Sequence, residues 1–160
     1  MKQKQTKTLS NKRRKTEKKK KRKQTHKSCG TAILFNPSQT YSTSDIKTDR
    51  EGRILSLMVK TEQFECNIMT IYAPVIDKER KDFFKTLKRY VTRTWHIIVT
   101  GDFNCVENIT NDKQGGNPLR GNAGAAELTE ITENLYLKDI WRGKNPLEKQ
   151  YTWSNANLTI

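Results

Sequence analysis

Little in this chain can staple it or anchor it. Of 160 residues three are cysteine, Cys29, Cys66 and Cys105, and no two of them form a Cys-x-x-Cys pair. Widely spaced thiols in odd number argue against a disulfide framework, and the missing paired spacing argues against structural zinc. A reducing compartment is the expectation. No apolar run approaches the ~18 residues that cross a bilayer. The basic start lacks the apolar segment of a secretory signal, so no membrane partner is expected. Two histidines leave Cys105 without an evident partner nearby in sequence, so packing is its expected role rather than nucleophilic attack. Internal repeats are absent.

What the chain has in excess is positive charge, +14 in all. Residues 1–28 hold 14 Lys or Arg against one acid, Glu17, while the remainder holds 17 basic and 16 acidic side chains. The charge therefore belongs to the tail. Met1–Lys27 has almost nothing apolar beyond Met1 and Leu9. Such a segment cannot bury a core and is expected to be disordered. Two runs stand out, Lys12-Arg13-Arg14-Lys15 and Lys18-Lys19-Lys20-Lys21-Arg22-Lys23. They fit a nuclear-import signal or a patch for DNA or RNA, and nuclear localisation is the matching expectation. The chain divides into this tail, 1–27, and a body, 28–160.

Apolar spacing in the body switches between two periods. Thr31-Ala32-Ile33-Leu34-Phe35 predicts a strand, and residues 36–51 read as polar and turn-rich. Leu55, Leu57 and Val59 alternate within a strand predicted at 53–60. Phe64, Cys66, Ile68 and Tyr72 alternate within one at 63–72, joined to the first by a hairpin link at 60–63. Asp77 is a candidate N-cap. Phe83, Phe84, Leu87, Tyr90 and Val91 then recur at helical spacing over 78–93, with Lys78, Arg80, Lys81, Lys85, Lys88 and Arg89 expected on the solvated side. A buried strand is predicted at 96–100, a loop at 105–122 and a helix at 123–135. Lys113 and Arg120 in that loop are candidate backbone contacts for a nucleic acid. Trp141 and Trp153 read as core residues.

The chemistry gathers where two predicted strands end. His96 to Thr100 runs into Gly101-Asp102-Phe103-Asn104, and Ile71-Tyr72-Ala73-Pro74 closes the earlier run. Glycine permits a sharp turn. Asp102 and Asn104, two residues apart, can share a side of an extended segment. A carboxylate orients a water or holds a hard cation, and an amide donates to a phosphoryl oxygen. Strand C-terminal ends are where α/β proteins place such groups. The same tetrapeptide is equally consistent with a plain Asx turn.

Tyr-Ala-Pro, an amphipathic helix, an apolar strand and Gly-Asp-Phe-Asn, in that order, resemble the endonuclease/exonuclease/phosphatase superfamily. Leu137-Lys138-Asp139-Ile140-Trp141-Arg142, Asn145-Pro146 and Tyr151-Thr152-Trp153 are more specifically similar to the endonuclease domain of non-LTR retrotransposons. The resemblance covers roughly Ser28 to Ile160. It implies an incomplete DNase I-like α/β sandwich and a phosphodiester-cleaving DNA endonuclease using Mg²⁺ or Mn²⁺. It implies that Tyr72, Asp102 and Asn104 are catalytic, that Asp102 is a metal ligand and that Thr152 lies at the site's edge. The departures are specific. No Glu matches the family's metal-binding Glu, because Gln24-Thr25-His26 lacks one, and no terminal Asp-His pair is present. His96 starts the strand whose far end carries Asp102, on the order of 20 Å away at ~3.3 Å per residue. Asp45, Asp49 and Glu51 are the alternative carboxylates. The expectation is therefore an internal fragment, weakly active or inactive. The competing reading is a catalytically dead nucleic-acid-binding protein whose tail supplies the affinity.

Overall fold

The strongest apolar alternation in the chain makes the centre of a sheet. In a computed structural model describing residues 30–92, 94–115 and 122–152, Ile54–Lys60 (β2) pairs antiparallel with Glu65–Tyr72 (β3). The hairpin link is closed by Thr61 N–H donating to the Phe64 carbonyl at 2.9 Å. Ile97–Asp102 (β4) lies parallel to β3 on its other side. Ser42–Thr48 (β1) completes the order β1-β2-β3-β4. The crossover between the parallel strands is the helix Asp77–Thr86 (α1), continued by a tight turn at Leu87–Arg89. Ile109–Asp112 (α2), Ala125–Asn134 (α3) and Ile140–Lys144 (α4) follow. The fold is α/β with a mixed sheet.

Both faces of β2 and β3 are covered. On one face Ile54, Met69 and Ile71 meet Phe83, Phe84 and Leu87 of the α1 region and Leu128 and Ile131 of α3. Full burial of such side chains contributes roughly 1.5–3 kcal/mol each. The buried Asn67 on this face is satisfied. Its Nδ2 donates to Ser56 Oγ at 2.9 Å and to the Leu57 carbonyl at 3.0 Å. On the other face Leu57, Val59 and Cys66 take Ile33, Phe35 and Ile68 against them.

Several expectations need correction. Residues 31–35 half-bury alternate side chains, but they form no strand. Ile33 and Phe35 pack on the sheet face, and no described strand runs beside them to make a ladder. The strand instead comes from the segment read as turn-rich. β1 is almost wholly exposed, and its register shifts between Ser44 and Lys47, where Asp45 has φ 50°. Polar composition and a bulge suit an edge strand that must not recruit partners. Asp77 does not N-cap α1. Ile76 occupies that position with no side-chain cap, and Asp77 instead pairs with Arg80 at 2.6 Å. Regular α-helix stops at Thr86 rather than at 93. The 105–122 loop contains α2, capped by Asn108, whose side chain accepts from the N–H groups of Thr110 and Asn111. Trp141 is on the surface at 37% exposure, with the Arg142 guanidinium 4.8 Å from its ring centroid.

Arg80 is the largest correction. Expected on the solvated side for its charge, it is 1% exposed. Its Nη1 donates to the Pro74 and Val75 carbonyls at 3.0 and 2.7 Å, and its Nε donates to the Ala123 carbonyl at 2.7 Å. One guanidinium thus ties the segment after β3 to the start of α3. Its place was legible: it precedes Phe83, Phe84 and Leu87 by three, four and seven residues, on the apolar stripe.

Candidate functional site

Parallel pairing brings the two strand ends together. The register sets Tyr72 beside Asp102 and Ile71 beside Gly101. Partners in a ladder project to the same face, so the phenol and the carboxylate share one side of the sheet. Gly101 makes this approach possible. It lies within β4 at φ 130°, and a Cβ there would stand 1.9 Å from the Ile71 carbonyl oxygen. The glycine is needed for close contact between strands rather than for a turn after them.

Beyond β4 the chain folds back onto β3. Phe103 packs against the core. Asn104 takes φ 50°, a left-handed conformation that asparagine tolerates better than most residues. Its backbone N–H donates to Asp102 Oδ1 at 2.9 Å, and its Nδ2 donates to the Ala73 carbonyl at 2.7 Å. Ala73 N–H in turn donates to the Asp102 carbonyl at 2.8 Å. Tyr-Ala-Pro and Gly-Asp-Phe-Asn are interlocked by these bonds. The Asx turn and the clustered site are therefore one arrangement. Nδ2 carries a second hydrogen beyond the one given to Ala73.

A residue the motifs did not single out borders Tyr72. Arg53 Nη1 donates to the Tyr72 carbonyl at 3.3 Å, and its guanidinium sits 5.5 Å from the Tyr72 ring centroid. Arg53 also pairs with Glu51 at 3.2 Å. Asp49 Oδ1 accepts from the N–H groups of Arg53 and Ile54 at 2.7 and 3.1 Å. Asp49 and Glu51 thus hold this turn in shape. The signal for Arg53 was faint: a basic residue opening β2 names a neighbour only once the register with β3 is known.

Asp102 is exposed, Tyr72 and Asn104 are partly buried. Burial pushes the nearby Cys105 thiol up to about 11, with Arg80 pulling the other way and Glu107, Asp102 and Glu127 adding to the rise. Such a thiol is a packed group, not a nucleophile. Burial also raises the Glu107 carboxyl, helped by Asp139 and Asp112 and opposed by a hydrogen bond from Thr132. A groove of about 460 Å³ opens elsewhere, between the 49–54 turn and α1, lined in part by Asp49, Glu51, Glu79 and Asp82. Its carboxylates disfavour a polyanion, and Tyr72, Asp102 and Asn104 do not line it.

Among the described residues no three His, Cys, Asp or Glu side chains gather to hold a metal ion. Mg²⁺ keeps several waters and needs only one or two carboxylates beside substrate phosphates, and Asp102 is the carboxylate this edge offers. Asp102 would hold such an ion, which would supply charge neutralisation at the phosphoryl oxygens. Thr152 is exposed at the end of the described residues, and no hydrogen bond among the described residues ties it to this edge. The tail cluster from Lys12 to Lys23, with Arg120 and Trp153, lies outside the described residues.

No family model matches the chain. Over 130 residues, 79% of its length, it is 31% identical to the uncharacterized 149 kDa protein of transposon TX1 from Xenopus laevis. The chain is a relative of a transposon protein. It spans about a tenth of that protein's length, the aligned part being 10% of it.

Proposed function

We propose that the body is the phosphate-binding part of a retrotransposon-type DNA endonuclease, a domain whose chemistry is phosphodiester hydrolysis. The observation that carries this reading is the Tyr72–Asp102 register, with Asn104 bonded to Asp102 and to Ala73, the residue after Tyr72. Asp102 orients the attacking water. The Tyr72 phenol and the second Asn104 amide hydrogen donate to phosphoryl oxygens, where charge builds as the bond breaks. Kinship with a transposon protein favours DNA as the substrate over a lipid or inositol phosphate. Mg²⁺ or Mn²⁺ belongs to the proposal through the resemblance, with Asp102 as the residue that would hold it. Nicking of supercoiled plasmid by the wild-type chain and by Asp102→Ala, Asn104→Ala and Tyr72→Phe tests the assignment. Equal nicking by all four overturns it.

A second reading has its own support. A single carboxylate at the site and a tail with 14 Lys or Arg in its first 28 residues favour a nuclear protein that binds DNA or RNA without cutting it. Each phosphate neutralised on duplex DNA contributes about −0.9 to the slope of log affinity against log salt. Removal of residues 1–27 then abolishes most affinity, because the rest of the chain is nearly neutral. Undiminished binding by the shortened chain at moderate salt contradicts this reading.

A further inference from the structure

The near-neutrality of the chain outside its tail is a sum, and α1 keeps its charges apart. Every exposed residue from Asp77 to Arg89 is charged. At 3.6 residues per turn, Lys78, Lys81, Lys85 and Lys88 fall within about 80° of one another around the helix axis. Arg80, Phe83, Phe84 and Leu87 hold the opposite side in the core. Glu79 and Asp82 line the groove beside Asp49 and Glu51, and Asp77 is paired with Arg80. Among the described residues none of the four lysines is in an ion pair. Beyond the described residues the sequence has one acid, Glu17, too few to neutralise the stripe. Like charges three and four residues apart on a helix repel and cost stability. The negative end of the helix favours Lys85 and Lys88, but Lys78 lies in the first turn, where the dipole disfavours a cation.

We infer that this stripe is a docking surface for the phosphate backbone of duplex DNA, separate from the candidate site. From Lys78 to Lys88 it runs about 15 Å at 1.5 Å per residue. The same length of duplex carries about four phosphates on each strand, enough to meet all four ammonium groups. Other polyanions fit less well. A lipid surface takes up apolar side chains, and the exposed side of α1 has none. A protein partner needs an aromatic or apolar anchor at the centre of its contact, and the stripe offers none. Phosphate contacts need only charge and reach, which lysine supplies on a flexible stem. The stripe also lies across the sheet from the site. α1 packs on the face that carries Ile54, Met69 and Ile71, and Tyr72, next after Ile71, projects from the other face with Asp102. The choice of DNA rests on the substrate proposed above; the existence of the stripe does not.

Fluorescence anisotropy of a short labelled DNA duplex with the full chain, across a salt series, tests it. Each lysine that meets a phosphate contributes about −0.9 to the slope of log affinity against log salt. Lys78→Gln, Lys81→Gln, Lys85→Gln and Lys88→Gln together should flatten that slope by about 3 and lower affinity at least tenfold at about 0.1 M salt. Glutamine is a good helix former, so circular dichroism should be unchanged. The control removes the same charge from Lys60, Lys138, Lys144 and Lys149, which are exposed and scattered over the body, and should flatten the slope by less than about 1. Arginine at the four stripe positions should keep the wild-type slope. An unchanged slope in the stripe variant overturns the proposal, and so does an equal loss in the control, which makes the effect one of net charge. Loss of binding to phosphatidylserine vesicles or to an RNA duplex, with DNA binding intact, assigns the stripe to another partner and overturns it too. The readout is affinity, so failure here is told apart from failure of the catalytic reading, which shows in the nicking by Asp102→Ala.

Discussion

The Asn104 side chain reaches across from the end of β4 and donates to the Ala73 carbonyl at 2.7 Å. This bond makes one unit of two short sequence motifs. A site that must hold two groups in fixed relation needs such a tie, and here a single residue supplies both the tie and a candidate donor.

Loss of that amide should be felt in stability before any chemistry is considered. Asn104→Ala removes a bond worth about 0.5–1.5 kcal/mol and leaves the Ala73 carbonyl without it. It also places alanine at φ 50°, which costs further. Asn104→Gly keeps the backbone conformation at ease and should destabilise less. Urea unfolding of the two variants checks the order, and equal midpoints contradict it.

Gly101→Ala should be far worse. The added Cβ would overlap the Ile71 carbonyl, and φ 130° is closed to alanine. A loss of about 3 kcal/mol or more is expected, in the range of severe backbone strain. Thermal unfolding, or loss of soluble expression, reads it. A Gly101→Ala protein as stable as wild type means that β4 does not approach β3 in this way.

How far the sequence speaks for itself depends on which force decides each element. β2, β3, α1 and α3 announced themselves because burial decides them and burial leaves a period. β1 did not, because its pairing is made by backbone hydrogen bonds and its side chains stay in water. Residues 31–35 misled for the opposite reason: their apolar alternation is real and packs on the sheet, but alternation cannot say whether a neighbouring strand exists. The candidate site was readable as two motifs. Their adjacency was not, since it rests on the parallel register of Tyr72 with Asp102. Arg80 defies its charge because three backbone carbonyls and Asp77 satisfy its guanidinium inside, and its position on the apolar stripe is the sequence signal for this.

Arg80 and Asp77 make an asymmetric pair, and their variants should differ accordingly. The Arg80 side chain is 2% exposed and the Asp77 side chain 61%. Arg80→Met removes the donor from three backbone carbonyls as well as from Asp77, and about 3–5 kcal/mol should be lost. Asp77→Asn disturbs a pair half in solvent and should cost about 0.2–1 kcal/mol. Denaturant unfolding separates the two, and similar losses would refute the bridging role of Arg80.

Cys105 gives a pH dependence with a defined sign. Its thiol is raised from 9.0 to about 11 in the folded chain, chiefly by burial. The folded state therefore holds the proton more tightly than the unfolded state. This contribution is complete below pH 9 and is lost as the pH rises toward 11. Stability should fall across that window, and Cys105→Ala should flatten the fall. At pH 8 the thiol should resist alkylation until the chain is unfolded. Fast labelling of Cys105 in the folded protein contradicts its burial.

The most direct test of the site is the nicking of supercoiled plasmid with Mg²⁺ or Mn²⁺, wild type against Asp102→Ala. With Asp102 as the one carboxylate at this edge to meet an ion, the wild-type chain should nick slowly at best. Removal of one preorganised group typically costs about 10²–10³ in rate. Whatever nicking there is should therefore fall to background in Asp102→Ala. Nicking at the wild-type rate in Asp102→Ala contradicts the assignment of this edge, and a wild-type chain that binds DNA without any nicking in either metal replaces the enzyme with the binding protein.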